Sequence, residues 1–236
     1  MLPIHRLPCQ LPIVTRRSLD LSLYLVANRP SFQNENVFME KIQAAVAGGV
    51  SCVQLRDHKN DIEAVIKTAH CLKGILKGIP LFINTPQPFE VVSAVDAEGV
   101  YLEEKIPYQR ARKLIGISKI VGISVKTMEE VRAVEQAYDV DYLSVKIFPS
   151  RKTCPRNDFL WGMEGLRRVR AITPHRIVVI GGLNVSCVEP AYRAIRLDDG
   201  VAMAGGLMDE EDPETTARKI LAIRQNIWRN NDISFS

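Results

Sequence analysis

The chain lacks any apolar run long enough to cross a membrane. It also lacks a signal-peptide core. His5, Arg6, Arg16 and Arg17 precede the first acid, Asp20, but Pro3, Pro8 and Pro12 interrupt the stretch, so residues 1–20 read as an extended arm. No C-x-x-C pair occurs, and the 5 cysteines (Cys9, Cys52, Cys71, Cys154, Cys187) are odd in number. A disulfide framework is therefore not expected; Cys52 and Cys71 fall in apolar-periodic stretches and read as reduced, mostly buried thiols, which points to a reducing cytoplasm. A strong charge of either sign is absent too. The formal net charge is +4, which offers no bulk support for a nucleic-acid partner. Neither a low-complexity segment nor a domain boundary is visible.

What is present is an ordinary globular composition, 46% hydrophobic and 25% charged, in 236 residues. That length suits one α/β barrel or one doubly wound domain. Apolar runs of strand length alternate with segments of helical spacing. Strands are expected at residues 21–26, 50–56, 81–84, 99–102, 120–124, 141–145, 176–180 and 200–203. Helices are expected at 35–47, 61–76, 86–95, 108–115, 128–138, 161–172, 185–195 and 213–228. Repeated βα units imply parallel strands joined by right-handed crossovers. Roughly eight units in this length predict a closed (β/α)8 TIM barrel, with a doubly wound sheet as the structural alternative. The division is then an arm at 1–20, a single barrel domain at 21–229 and a frayed tail at 230–236.

Active sites of such barrels lie at the C-terminal ends of the strands. Strand side chains alternate faces, so Val53 and Leu55 pack outward while Gln54 and Arg56 point into the barrel. A buried guanidinium keeps its proton and needs an anion. That anion is either a phosphate-type ligand or another barrel carboxylate. Asn84 ends the third strand. Gly122 and Ser124 share the inward face of the fifth, and Lys126 follows, either at the mouth or exposed at the next helix start. Ser144 and Lys146 share a face of the sixth. The polar, basic loop after it contains Ser150, Arg151 and Lys152, which either close over an anion or form a solvated charge run. Gly181-Gly182 and Gly205-Gly206 follow strands seven and eight, where barrels frequently bind phosphate. Charge-assisted hydrogen bonds contribute roughly 1.5–3 kcal/mol each. Two such loops and one cation therefore supply the roughly 8 kcal/mol of micromolar binding.

Several short blocks occur together in order: Leu23-Tyr24-Leu25-Val26, Val53-Gln54-Leu55-Arg56-Asp57 after Gly48-Gly49-Val50, Ile83-Asn84, Gly122-Ile123-Ser124, Asp141-Tyr142, Phe148-Pro149, Ile180-Gly181-Gly182 and Gly200-Val201-Ala202. In this the chain resembles the thiamine phosphate synthase / TenI family from about residue 21 to 228. The resemblance implies a (β/α)8 barrel of thiamine biosynthesis, acting as a transferase. The family synthase joins hydroxymethylpyrimidine pyrophosphate to thiazole phosphate and releases pyrophosphate with help from Mg²⁺. Carried over, Gln54, Arg56 and Asn84 would contact the pyrimidine and pyrophosphate, and Ser124 would sit beside the pyrophosphate. The two Gly-Gly loops would hold the thiazole phosphate.

The sequence departs from that pattern where the metal would sit. Thr85 and Ile106 stand where the family has Mg²⁺-binding aspartates, His58 replaces a lysine, and the Ser150-Arg151-Lys152-Thr153 loop is one register away. Losing both carboxylates makes Mg²⁺ binding doubtful. Either Glu103 or Glu104 supplies a displaced carboxylate, or His58, Lys126, Lys146 and Lys152 neutralise pyrophosphate instead. The TenI branch implies an alternative, a thiazole tautomerase with a proton shuttle after strand five, where this chain has Lys126. A non-catalytic phosphate-ligand-binding regulator is a third reading. Small phosphorylated molecules are the expected partners, with no membrane or nucleic acid, and a homo-oligomer is compatible with the sequence.

Overall fold

The computed structural model describes residues 19–103, 107–147 and 161–233. Eight parallel strands close into a barrel: β1 (Leu23–Asn28), β2 (Cys52–Arg56), β3 (Leu81–Asn84), β4 (Gly99–Leu102), β5 (Ile120–Val125), β6 (Tyr142–Lys146), β7 (Arg176–Ile180) and β8 (Gly200–Met203). Each strand pairs with its neighbours in sequence, and Tyr24 of β1 lies opposite Ala202 of β8. That closure decides between a barrel and an open doubly wound sheet. The intervening helices are α1 (Glu35–Ala47), α2 (Ile62–Leu76), α3 (Pro88–Val95), α4 (Tyr108–Ile115), α5 (Met128–Ala133), α6 (Gly162–Ile172) and α7 (Glu189–Arg193). The short α8 (Gly205–Met208) and α9 (Pro213–Ile233) follow β8.

Helix starts are set by side-chain caps. Asn34 accepts from Asn36 N at 2.8 Å, Asp61 from Ala64 N at 2.8 Å and Thr127 from Glu130 N at 3.2 Å. The expected elements shift at their ends. The segment expected as helix to residue 138 leaves α-geometry at Ala133, because Glu135 N and Ala137 N donate to carbonyls three residues back. α8 was not expected, since a Gly-Gly start has poor helix propensity. α9 runs to Ile233, so the segment expected to fray at 230 begins as helix. Of the arm, residues 1–18 lie outside the described residues. Leu19 packs against the barrel interior, and its carbonyl accepts from Arg176 Nη1 at 2.7 Å.

Two apolar layers follow from strand alternation. The outward layer, including Val53, Leu55, Leu143 and Val145, packs against the helices. The inward layer contains Tyr24, Cys52, Phe82, Tyr101, Tyr142 and Val178 and plugs the barrel. Cys52 is fully buried as expected, and burial pushes its thiol well above the usual range. Cys71 departs from expectation and is exposed. On α2 it lies between the buried Ala69 and Leu72 in sequence, but helical rotation turns it outward. Cys9 and Cys154 lie outside the described residues.

The N-terminal ends of the strands carry a repeated device. The residue just before β4, β6 and β8 is Glu98, Asp141 and Asp199, respectively. Each carboxylate accepts a backbone N–H from the start of the preceding strand: Leu81 at 2.8 Å, Val121 at 2.8 Å and Ile177 at 2.6 Å. Each also pairs with a cation on the helix that leads into that preceding strand, Lys73 of α2 at 2.6 Å, Arg112 of α4 at 2.8 Å and Arg170 of α6 at 2.9 Å. Before β2 a neutral version appears, with the Ser51 hydroxyl accepting from Leu23 N at 3.2 Å. These groups sit at the end of the barrel opposite the mouth, where they satisfy otherwise orphaned strand ends.

Candidate active site at the barrel mouth

Parity places the inward residues as alternation requires, but at different depths. Gln54 is 3% exposed, and its Oε1 accepts from the Tyr24 hydroxyl at 2.8 Å. The Tyr24 and Tyr142 hydroxyls are 3.0 Å apart, and the Tyr101 and Tyr142 rings are stacked with centroids 6.4 Å apart. Ser124 is half-buried and lies opposite the buried Ser144 of β6. The aromatic plug thus anchors Gln54 above it.

Arg56 lies one layer higher, at the end of β2, opposite Asn28 and Asn84 on the flanking strands. Its Nη1 donates to Asn28 Oδ1 at 3.3 Å, and its Nε donates to Glu103 Oε1 at 3.2 Å. Of the two anions weighed for Arg56, the carboxylate is therefore Glu103. His58 is exposed, with Nε2 2.5 Å from Asn84 Oδ1. When Nε2 carries the proton it donates to that oxygen. The other end of the amide, Asn84 Nδ2, is buried without a partner, as is Thr85 Oγ1. Both residues line a cavity of about 320 Å³, together with His58, Pro86, Pro88, Tyr101, Leu102 and Glu103. Contacts thus bring together Arg56, His58, Asn84 and Glu103.

The remaining expected residues stand further round the rim. Lys146 ends β6, and Lys126 follows β5; both are half-buried. The Lys126 N–H donates to Glu130 Oε2 at 2.6 Å, which fixes its backbone at the entrance to α5. Trp161 joins the two strand ends: its N–H donates to Lys146 O at 2.8 Å and its indole Nε1 to Val125 O at 2.9 Å. Ser150, Arg151 and Lys152 lie outside the described residues, as do Glu104 and Ile106. After β7, Gly181 and Gly182 have φ of +114° and +55°, backbone that glycine adopts with least strain. After β8, Gly205 and Gly206 open α8. A Cβ on Gly206 would lie 2.2 Å from Leu183 O, so this glycine also lets the two loops pack closely.

The profile of the thiamine monophosphate synthase family matches residues 23–205. The chain belongs to that family. It is 33% identical to the thiamine-phosphate synthase of Vibrio campbellii over 204 residues, covering 85% of this chain and 97% of the relative. To that of Syntrophomonas wolfei it is 34% identical over 215 residues, covering 90% and 98%. Among solved structures, thiamine phosphate pyrophosphorylase from Pyrococcus furiosus superposes with a TM-score of 0.75 at 25% identity, covering 90% of this chain and 98% of that one. Phosphoribosyl anthranilate isomerase from Thermus thermophilus, with a TM-score of 0.60 at 14% identity, shares the fold alone. The assignment to thiamine biosynthesis by resemblance is thereby established at the level of family.

The described mouth is poor in carboxylates. Mg²⁺ is held through carboxylate oxygens in octahedral geometry. Among the described residues lining the cavity Glu103 is the one carboxylate, and it is engaged with Arg56. Asp57, next to Arg56, is turned into its own loop, where it accepts from Lys59 N and Asn60 N at 3.1 Å each. No three His, Cys, Asp or Glu residues cluster as a metal site among the described residues. The described mouth residues do not fit Mg²⁺. Outside the expected set stand Asn28, Glu103 as the partner of Arg56, and the plug of Tyr24, Phe82, Tyr101 and Tyr142. The same alternation that turned Gln54 inward turns these aromatics inward as well.

Proposed function

We propose that this chain acts as a thiamine-phosphate synthase, coupling hydroxymethylpyrimidine pyrophosphate to thiazole phosphate. The coupling breaks a carbon–oxygen bond to pyrophosphate and forms a carbon–nitrogen bond to the thiazole. Negative charge gathers on the departing pyrophosphate, which favours fixed cations and N–H donors at the mouth. The observation that carries this reading is the orphaned Asn84 amide nitrogen, buried in the same cavity as His58 and beside the half-buried Arg56. An unpaired buried donor costs roughly 1–3 kcal/mol, which a ligand oxygen would recover. In this reading Gln54, held by Tyr24, meets the pyrimidine, and Ser124 and Lys126 stand beside the leaving pyrophosphate. Lys146 and Lys152 add positive charge and Ser150 a hydroxyl donor, while the Gly181-Gly182 and Gly205-Gly206 loops hold the thiazole phosphate. A reducing cytoplasm suits the unpaired Cys52, Cys71 and Cys187.

A second reading, a phosphate-ligand binder without turnover, is favoured by Thr85 and by the engagement of Glu103 with Arg56. Purified protein, both substrates and Mg²⁺ separate the two. The synthase reading expects thiamine phosphate and pyrophosphate in equal amounts. No product, with thiazole phosphate still binding by calorimetry, would favour the binder.

A further inference from the structure

The Arg56–Glu103 pair has a consequence for whatever anion enters the mouth. The Arg56 side chain is held from two sides, by Asn28 Oδ1 at 3.3 Å and by Glu103 Oε1 at 3.2 Å. Glu103 therefore occupies one of the donor edges through which a guanidinium grips an oxyanion. The two side chains are 36% and 40% exposed. A pair this open contributes about 0–1 kcal/mol to stability, so it can be broken at little cost.

Next to it the cavity offers donors that have no partner. Asn84 and Thr85 are 2% and 7% exposed, and Asn84 Nδ2 and Thr85 Oγ1 are buried and unsatisfied. Both are neutral, and both suit the oxygens of a phosphate-type ligand. The same cavity is lined by Glu103, whose charge opposes such a ligand. One wall thus holds donors for an anion and a carboxylate that competes with it.

We propose that Glu103 is a specificity-determining gate: a phosphate-type anion reaches Arg56 by displacing the Glu103 carboxylate, then takes the unpartnered Asn84 amide and Thr85 hydroxyl. This rests on the reading of the mouth as an anion site. Glu103 lowers affinity for free polyanions and so favours release of pyrophosphate. It also discriminates by charge, because each added negative charge on the ligand meets the same carboxylate.

Calorimetry with inorganic pyrophosphate, without divalent cations and at low salt, tests the gate in four proteins: the parent, Glu103→Gln, Arg56→Gln and the double variant. Glu103→Gln keeps the shape and removes the charge at a half-exposed position. It should bind pyrophosphate about tenfold more tightly than the parent, the factor that corresponds to about 1.4 kcal/mol. The gain should vanish in the Arg56→Gln background, because there the carboxylate no longer occupies a donor of the guanidinium. Equal or weaker binding by Glu103→Gln overturns the gate while leaving the anion site standing. A full gain in the Arg56→Gln background also overturns it, since long-range charge would then be the cause. Absence of pyrophosphate binding in both the parent and Glu103→Gln overturns the anion site and the gate together.

Discussion

The Asp199 carboxylate lies 2.9 Å from Arg170 Nη1 through both of its oxygens, and Asp199 is 1% exposed. The same carboxylate accepts Ile177 N at 2.6 Å and Arg196 N at 2.8 Å, tying β7, β8 and α6 at the closed end of the barrel. Burial pushes its carboxyl above the usual aspartate range, against the pull of these N–H groups and of Arg170. Removing one member of a buried pair leaves the other charge uncompensated. Asp199→Ala should therefore lose roughly 3–5 kcal/mol of unfolding free energy in urea. Glu98→Ala removes the half-exposed version of the device and should lose about 1 kcal/mol.

A second stability prediction concerns the plug. A Cβ on Gly122 would lie 2.0 Å from Tyr142 Cζ, and the Tyr142 ring is fully buried among Tyr24, Phe82 and Tyr101. The ring has nowhere to retreat, so Gly122→Ala should cost about 3 kcal/mol through overpacking. Tyr142→Leu should be destabilising alone, yet relieve part of that cost in combination. A double-mutant cycle by denaturant melts measures the coupling, and strict additivity would mean that the two residues do not share this space.

These cases show where the sequence is legible. The βα order and the inward Gln54 and Arg56 follow from period-2 alternation, which is local. The tyrosine plug obeys the same rule. Its meaning emerges only after closure, when Tyr24, Tyr101 and Tyr142 from three separate strands meet in one space. The Arg56–Glu103 contact was not legible because it spans 47 positions and depends on the stagger between β2 and β4. Nor were the carboxylates before β4, β6 and β8. A lone acid ahead of a strand looks like loop polarity until the preceding strand's N–H is found pointing at it.

The plug also sets the alkaline limit of the fold. Burial raises the hydroxyls of Tyr24 and Tyr142 well above 10.0 and pushes Tyr101 to about 12. The unfolded chain would lose these protons near the ordinary value of 10.0, earlier than the native state. Their contribution to stability is thus fully present below pH 10 and is lost as pH rises toward about 12. Phenolate absorbance from the plug should appear together with loss of far-ultraviolet circular dichroism. Ionisation of the plug in a barrel with intact dichroism would show that these hydroxyls reach solvent natively.

Arg56 is the residue on which the mouth's chemistry turns. Its guanidinium already makes two directed contacts, to Asn28 and Glu103, so its position is set before any ligand arrives. Arg56→Ala should weaken binding of a phosphorylated ligand by about 2 kcal/mol or more, the worth of a charge-assisted hydrogen bond. Arg56→Lys keeps the charge and loses the planar fork, so it should recover only part of that loss. Because the side chain is half-exposed, stability should change little in either variant, and titration calorimetry beside urea melts separates the two effects. Unchanged affinity in Arg56→Ala with lowered stability would assign Arg56 a purely structural role, as the bridge between Asn28 on β1 and Glu103 just beyond β4.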